Sequence, residues 1–235
     1  MQLSSQNMHP LDNVIWTALT SEQANFAEAN QFAGRFPADV GPLAGLKEPN
    51  AQGFNFLADL LNQGEAAALF LDEPQEAPTG FTVVAKALLL QMVQEEPASC
   101  PEEPLSPAQF TELSVDDIPD MLALTRLTQP GPFGTRTREL GTYFGIRRSG
   151  SLVAMAGERL HVSGYREVSA VCTHPQHRGH GYAAALMQAV MAGMRARKEI
   201  PFLHVRADND QAVGLYERLG FRRRLLLHLV VLRKT

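Results

Sequence analysis

Cysteine is scarce: the 235-residue chain has two, Cys100 and Cys172, too few for a disulfide framework, and a reducing cytoplasm is the expected setting. Long apolar runs are missing as well. The longest mainly apolar stretches, Ala85 to Val93 and Leu225 to Leu232, are less than half the roughly 20 residues a membrane-spanning helix needs, so no transmembrane segment is expected. The first thirty residues contain no Lys or Arg and no continuous apolar core, and they do not read as a secretory signal. Basic residues stay rare well beyond that point. Residues 1–108 hold three (Arg35, Lys47, Lys86) against fourteen acidic ones, net -11, which leaves eighteen against eleven, net +7, for residues 109–235. A basic part of this size suits nucleic acid, a phosphorylated small molecule or its own acidic neighbour, and charge does not choose among them.

What is present is ordinary for a globular chain: 45% hydrophobic and 20% charged residues, at a length that allows one large domain or two small ones. The segment from Glu95 to Ala108 crowds Glu95, Glu96, Pro97, Pro101, Glu102, Glu103, Pro104 and Pro107 together without apolar periodicity, which predicts an exposed linker. Upstream, Thr20 to Gln23 has the form of a capping box and predicts a helix over about 21–34. A short helix is expected over 54–62, and strands over 66–71 and 81–93. Downstream the pattern alternates regularly. A helix opens at Ser114 and runs toward Leu127, strands are expected at 142–147, 152–161 and 167–173, a long helix at 181–197, a strand at 202–207, a helix at 211–219 and a final strand at 222–232. Such alternation predicts an α/β sheet covered by helices, with the strands before Gly179 and after Pro201 as a parallel pair.

Chemistry concentrates in EVSAVCTHPQHRGHGYAAA, residues 167–185, where a strand runs through Arg178-Gly179-His180-Gly181-Tyr182-Ala183 directly into an Ala-rich helix. The glycines let the backbone turn tightly and approach a ligand. The helix start then presents unpaired amides, with a dipole contribution of about 0.3–1 kcal/mol, to a phosphate or pyrophosphate. This is neither a Walker loop, since no Lys-Ser or Lys-Thr follows the glycines, nor a dinucleotide fingerprint, since Gly-x-Gly-x-x-Gly is missing.

The pattern Arg178-x-x-Gly181-x-Ala183 after a strand resembles the acyl-CoA pyrophosphate loop of the GNAT superfamily, the Gcn5-related N-acetyltransferases. DNDQAVGLYERLGF, with Asn209, Tyr216 and Leu219-Gly220-Phe221, is similar to the second half of the same cofactor site, and the two motifs stand in the family's order. The resemblance covers about residues 110–235. It implies a GNAT-like mixed central sheet flanked by helices, with the acetyl-CoA-binding domain over 106–235; the acidic α/β segment over 1–105 falls outside its strong motifs and reads as a smaller preceding domain, a reduced and cofactor-free half. The resemblance also implies that the backbone of Val171, Cys172 and Thr173 pairs with the pantetheine arm and supplies an oxyanion donor. Amides from Arg178 through Gly179, His180, Gly181 and Tyr182 to Ala183 would hold the pyrophosphate. Asn209 would contact the cofactor, and Tyr216 would protonate the departing thiolate.

Such a reaction also needs a base, because an alkylamine of pKa near 10.4 is only about 0.04% neutral at pH 7. Glu167 is the first candidate, at a position where some family members carry a catalytic glutamate, and Glu158 on the preceding strand is the second. Either could act through a water. Glu167 could equally be a solvated strand end, and Asn209 no more than a helix cap. Cys172, His174, His177 and His180 lack the paired spacing of a zinc motif, and Arg178 among them opposes a cation, so no metal is expected. Arg222, Arg223 and Arg224 read as a solvated edge strand.

The expected activity is direct transfer of an acetyl group from acetyl-CoA to a primary amine, on a small molecule or a protein. The competing reading is a non-catalytic acyl-CoA-binding sensor on the same fold. Nucleic acid is not expected as a partner, and a homodimer is left open. The acidic segment would wall the acceptor cleft, and its charge would favour cationic amines.

Overall fold

The computed structural model describes residues 9–96 and 110–235. Most of the expected linker, from Pro97 onward, and Cys100 lie outside them. In chain order the elements are α1 (Val14–Thr20), β1 (Glu28–Ala29), β2 (Ala33–Arg35), β3 (Ala44–Leu46), α2 (Ala51–Leu60), β4 (Ala66–Leu71), β5 (Phe81–Val93), β6 (Thr111–Glu112), α3 (Ile118–Thr128), β7 (Tyr143–Arg148), β8 (Ser151–Val162), β9 (Tyr165–Thr173), α4 (Tyr182–Ala196), β10 (Ile200–Arg206), α5 (Asp210–Arg218) and β11 (Arg222–Lys234).

The mixed sheet flanked by helices that the alternation predicts is what the chain forms. Eight strands lie in the order β4-β11-β5-β10-β9-β8-β7-β6. β9 and β10 run parallel, as the crossover through α4 requires, and the other neighbouring pairs are antiparallel. A separate three-stranded sheet, β1-β2-β3, lies in the acidic part. The main sheet, however, draws on both sides of residue 105: β5 lies between β10 and β11, and β4 closes the far edge against β11. That places Arg222, Arg223 and Arg224 on an interior strand and corrects the edge-strand reading. Arg224 reaches Asp12 and donates to Gln91 Oε1 at 2.8 Å, and Arg223 pairs with Glu217 at 2.9 Å.

Burial explains why the central strands are so apolar. β8 is covered on both faces: Ala154 and Ala156 join the core under α4, whereas Met155 joins the core under α3. α4 commits Ala184, Leu186, Met187, Val190, Met191 and Met194 to the sheet, the i, i+3, i+4 spacing of an amphipathic helix. A third cluster packs Leu11, Val14, Ile15 and Leu19 against Leu160, Val162 and Phe202, fastening the N-terminal segment to the sheet.

The helix expected over 21–34 does not form. α1 ends at Thr20, whose Oγ1 donates back to the carbonyl of Trp16 at 2.8 Å, and a single 3-10 turn and the short β1 and β2 follow. Gln23 is drawn away instead. Its Nε2 donates to the carbonyl of Arg159 at 2.8 Å and its Oε1 accepts from His161 N at 3.1 Å, so a buried side chain satisfies strand β8 where its ladder is interrupted.

Candidate active site

β9 and β10 are paired only from Tyr165–Ile200 to Glu167–Phe202. Beyond that point β10 pairs with β5 and β9 with β8. The divergence opens a cavity of about 590 Å3 between them, flanked by the N-termini of α4 and α5. β9 carries a bulge at this level: Ala170 and Val171 together face Ala156, and Ala170 has φ of +52°. An extra residue in the left-handed region interrupts the ladder and re-aims the backbone that follows it. Val171, Cys172 and Thr173, immediately beyond, line the cavity.

After β9 a short 3-10 turn, capped by His174 accepting from Gln176 N at 3.2 Å, leads into the glycine loop. Gly179 and Gly181 have φ of +82° and +73°, conformations that an L side chain adopts only with strain. Gly181 is the cap of α4 and provides no side-chain hydrogen bond, so the first amides of the helix have no side-chain partner. A Cβ built on either glycine would meet nothing within 4 Å. The glycines therefore serve the turn and leave an open approach. Arg178, Gly179, Gly181, Tyr182 and Ala183 line the cavity, whereas His180 turns away, its ring stacked on Tyr182 at 5.4 Å. Across the gap, Asn209 Oδ1 accepts from Ala212 N at 3.1 Å as the cap of α5, and the residue also lines the cavity, so cap and wall coincide. Tyr216 lines the cavity too, and burial pushes its phenol up to about 12. Cys172 is buried and its thiol is raised to about 11, which removes it as a nucleophile.

The two candidate bases stand elsewhere. Neither Glu167 nor Glu158 lines the cavity. Glu167 is fully buried. Arg159 donates to it from Nη2 at 2.7 Å and Nε at 2.8 Å, His204 Nδ1 stands 2.7 Å from it, and Leu160 N donates at 3.2 Å. Burial pushes its pKa up, but the charge and bidentate bond of Arg159, with His204, outweigh burial and hold it at about 2. Committed to these partners and set off the cavity wall, Glu167 departs from the place expected of the base and has the part of an anchor for Arg159. A second bulge explains the arrangement: Arg159 and Leu160 together face Glu167, so the amide of Leu160 leaves the ladder and turns to the carboxylate. Glu158 is likewise buried and bound to Arg197 at 2.6 Å, with Arg166 at 3.7 Å.

Sequence reasoning misses the rest of the wall. Phe70, Leu43, Ala68, Leu229 and Val231 belong to its apolar part, and Arg159 and His204 to its polar part. The patch is continuous: Phe70 faces Leu229 and Ala68 faces Val231 across the β4–β11 ladder, Leu43 bridges to Ala68, and the rings of Phe70 and His204 lie 4.7 Å apart. The His204 ring is itself fixed. Gln91 Nε2 donates to the Leu11 carbonyl while its Oε1 accepts from Arg224, so Gln91 presents an N–H to His204 Nε2 at 3.1 Å and leaves Nδ1–H for Glu167. Both ring nitrogens are engaged. Among the described residues, no group of three His, Cys, Asp or Glu side chains is placed to hold a metal ion, and no helix is long and apolar enough to cross a membrane.

A solved structure of a GNAT-family protein from Novosphingobium aromaticivorans is 37% identical, superposes with a TM-score of 0.88, and matches over 97% of this chain and all of that one. The chain belongs to the GNAT family. The family model described as FR47-like protein matches residues 143–229, which span β7 to β11 and the whole glycine loop. Among curated relatives, the N-alpha-acetyltransferase RimI of Mycobacterium tuberculosis is 34% identical over 102 residues, 40% of this chain. An uncharacterized protein of Mycobacterium leprae is 31% identical over 147 residues, 58% of this chain. The chain spans 63% and 40% of the lengths of these two relatives.

Proposed function

We propose that this GNAT protein is an N-acetyltransferase that moves an acetyl group from acetyl-CoA to a primary amine by direct attack, without a covalent enzyme intermediate. The observation that carries the reading is that the bulged backbone after Ala170, the uncapped start of α4 and Tyr216 all line one cavity. Acetyl-CoA would supply the activated thioester. The amides of the 178–183 loop and the first turn of α4 hold its pyrophosphate, as converging N–H groups and the helix dipole favour. Val171 to Thr173 offer main-chain partners to the pantetheine arm, and an amide there meets the negative charge that develops on the acyl oxygen, a role often worth about 10²-fold in rate. As the amine nitrogen bonds to the acyl carbon and the carbon–sulfur bond breaks, Tyr216, which holds its proton at neutral pH, gives it to the sulfur. The amine's proton passes to cavity water, since among the described residues no carboxylate lines the wall. Residues 106–235 supply this machinery, and residues 1–105 wall the acceptor side through Pro42, Leu43, Ala68, Phe70 and Leu89.

The uncharged character of those five residues weakens the ground for expecting cationic amines, because none of the acidic residues described within 9–96 lines the cavity. The test is release of free CoA thiol on adding amines to protein and acetyl-CoA, repeated with Tyr216→Phe. An enzyme loses about 10²-fold in kcat while its CoA affinity stays within a factor of about two. Thiol release unchanged in the variant contradicts the acid role. Acetyl-CoA binding without amine-dependent release favours a sensor.

A further inference from the structure

The acceptor part of the cavity wall has an unusual composition. Among the described residues no Asp or Glu lines the cavity, and its Lys and Arg residues are Arg159, Arg178, Arg206 and Arg218. Of these, Arg178 belongs to the phosphate loop, Arg206 is paired with Asp208 at 2.6 Å, and Arg218 lies in the last turn of α5. Arg159 stands apart, on β8 beside the apolar patch, and is 9% exposed. Glu167 takes one edge of its guanidinium, Nε and Nη2. Nη1 makes no hydrogen bond to another described residue, and it is not among the buried atoms that lack a partner, which are the Tyr143 hydroxyl and Arg166 Nε, so it is open to solvent and to an acceptor. The bulge at Arg159 and Leu160, the Gln23 plug on the Arg159 carbonyl, and the His204 and Leu160 contacts to Glu167 surround this one side chain. A small second void of about 10 Å3 adjoins it, lined by Phe36, Val40, Leu140 and Pro132 together with Arg159 itself.

We propose that Arg159 is the acceptor-recognition residue and that the acceptor is an α-amino acid with an apolar side chain. The carboxylate accepts from Arg159 Nη1, and the side chain lies on Leu43, Ala68, Phe70, Leu229 and Val231. This rests on the acetyltransferase reading above. A wall without carboxylates admits a net-neutral zwitterion at lower cost than an amine carrying only positive charge, since an uncompensated ion loses its hydration on entry. Glu167 is then a positioning residue that orients Arg159.

The proposal is tested by calorimetry on the wild-type protein loaded with CoA. Titration with L-leucine is compared with isoamylamine, which is leucine without its carboxylate, with cadaverine, and with leucylglycine. Leucine should bind about tenfold or more tighter than each of the others, the scale of a charge-assisted hydrogen bond. Arg159→Met alone strands a buried carboxylate, so the matched variant is Arg159→Met with Glu167→Leu. In it the leucine advantage over isoamylamine should vanish while CoA affinity is kept. Isoamylamine or cadaverine binding as tightly as leucine, or an advantage that survives the double substitution, overturns the proposal. Leucylglycine binding as well as leucine overturns it in favour of a peptide N-terminus. Failure of CoA itself to bind would overturn both this proposal and the acetyltransferase reading.

Discussion

At one end of the cavity the wall is main chain: the backbone after the Ala170 bulge, two glycines at positive φ, and an uncapped helix start, all supplied by residues 170–184. At the other end the wall is side chains, brought from β4, β8, β10, β11 and the loop before β3, which lie far apart in sequence. The first end needs little support, since a glycine turn and a helix terminus are local structures. The second depends on strand pairing between distant segments for its apolar part, and on the bonds of Arg159 and His204 to Glu167 for its polar part. Damage to the first should therefore show in ligand binding, and damage to the second in stability.

The sharpest contrast is at Glu167. Glu167→Ala leaves Arg159 buried without its counter-charge, and about 3–5 kcal/mol of stability should be lost in denaturant unfolding. Replacing both partners by Met and Leu should restore most of it. The same carboxylate makes the fold acid-sensitive. Its pKa in the folded state is depressed, so the stability it contributes is present above the unfolded value of about 4.5 and is lost as pH falls toward 2. Unfolding midpoints measured between pH 6 and pH 2.5 should fall in the parent protein and fall less in the Met/Leu variant. A parallel fall in both would show that the network is not what titrates.

Gly181→Val attacks the other end. It forces a branched side chain into φ of +73°, at about 1–2 kcal/mol of strain, and disturbs the turn into α4. CoA affinity should drop about tenfold or more, whereas Gly80→Val, at a similar φ of +81° in a turn remote from the cavity, should cost stability and leave CoA affinity unchanged. The smallest effect is expected at the bulge. Ala170→Gly removes a side chain from the left-handed region and should be neutral or stabilising by up to about 1 kcal/mol, while Ala156→Gly on the partner strand should destabilise by about 0.5–1 kcal/mol. Equal losses at the two positions would mean that the bulge carries no strain.

The same division explains what could be read in advance. Strands 66–71 and 81–93 coincide with β4 and β5, and the alternation after Ser114 matches the elements from α3 to β11, because apolar periodicity and glycine turns are local signals. Residues 178–183, Asn209 and Tyr216 stand out for the same reason. Arg159 and His204 do not, since nothing in the pattern of a strand tells whether a polar residue points at a ligand, a neighbour or water. Their partners Glu167, Gln91 and Gln23 come from three other segments. Glu167 was conspicuous and its role was still not readable: a glutamate near the cofactor strand fits a base until Arg159 is seen beside it. The helix expected over 21–34 fails on the same ground, as Gln23 satisfies the backbone of β8 across 136 residues of sequence.

Thermal unfolding with acetyl-CoA, with free CoA, and with ATP and NAD as controls tests most directly whether the main-chain end of the cavity is a CoA site. At a concentration about a hundredfold above the dissociation constant, acetyl-CoA and CoA should each stabilise the protein by roughly 2.7 kcal/mol, several degrees in midpoint, and the controls should not. Equal shifts with all four ligands, or no shift with saturating acetyl-CoA, would contradict the account.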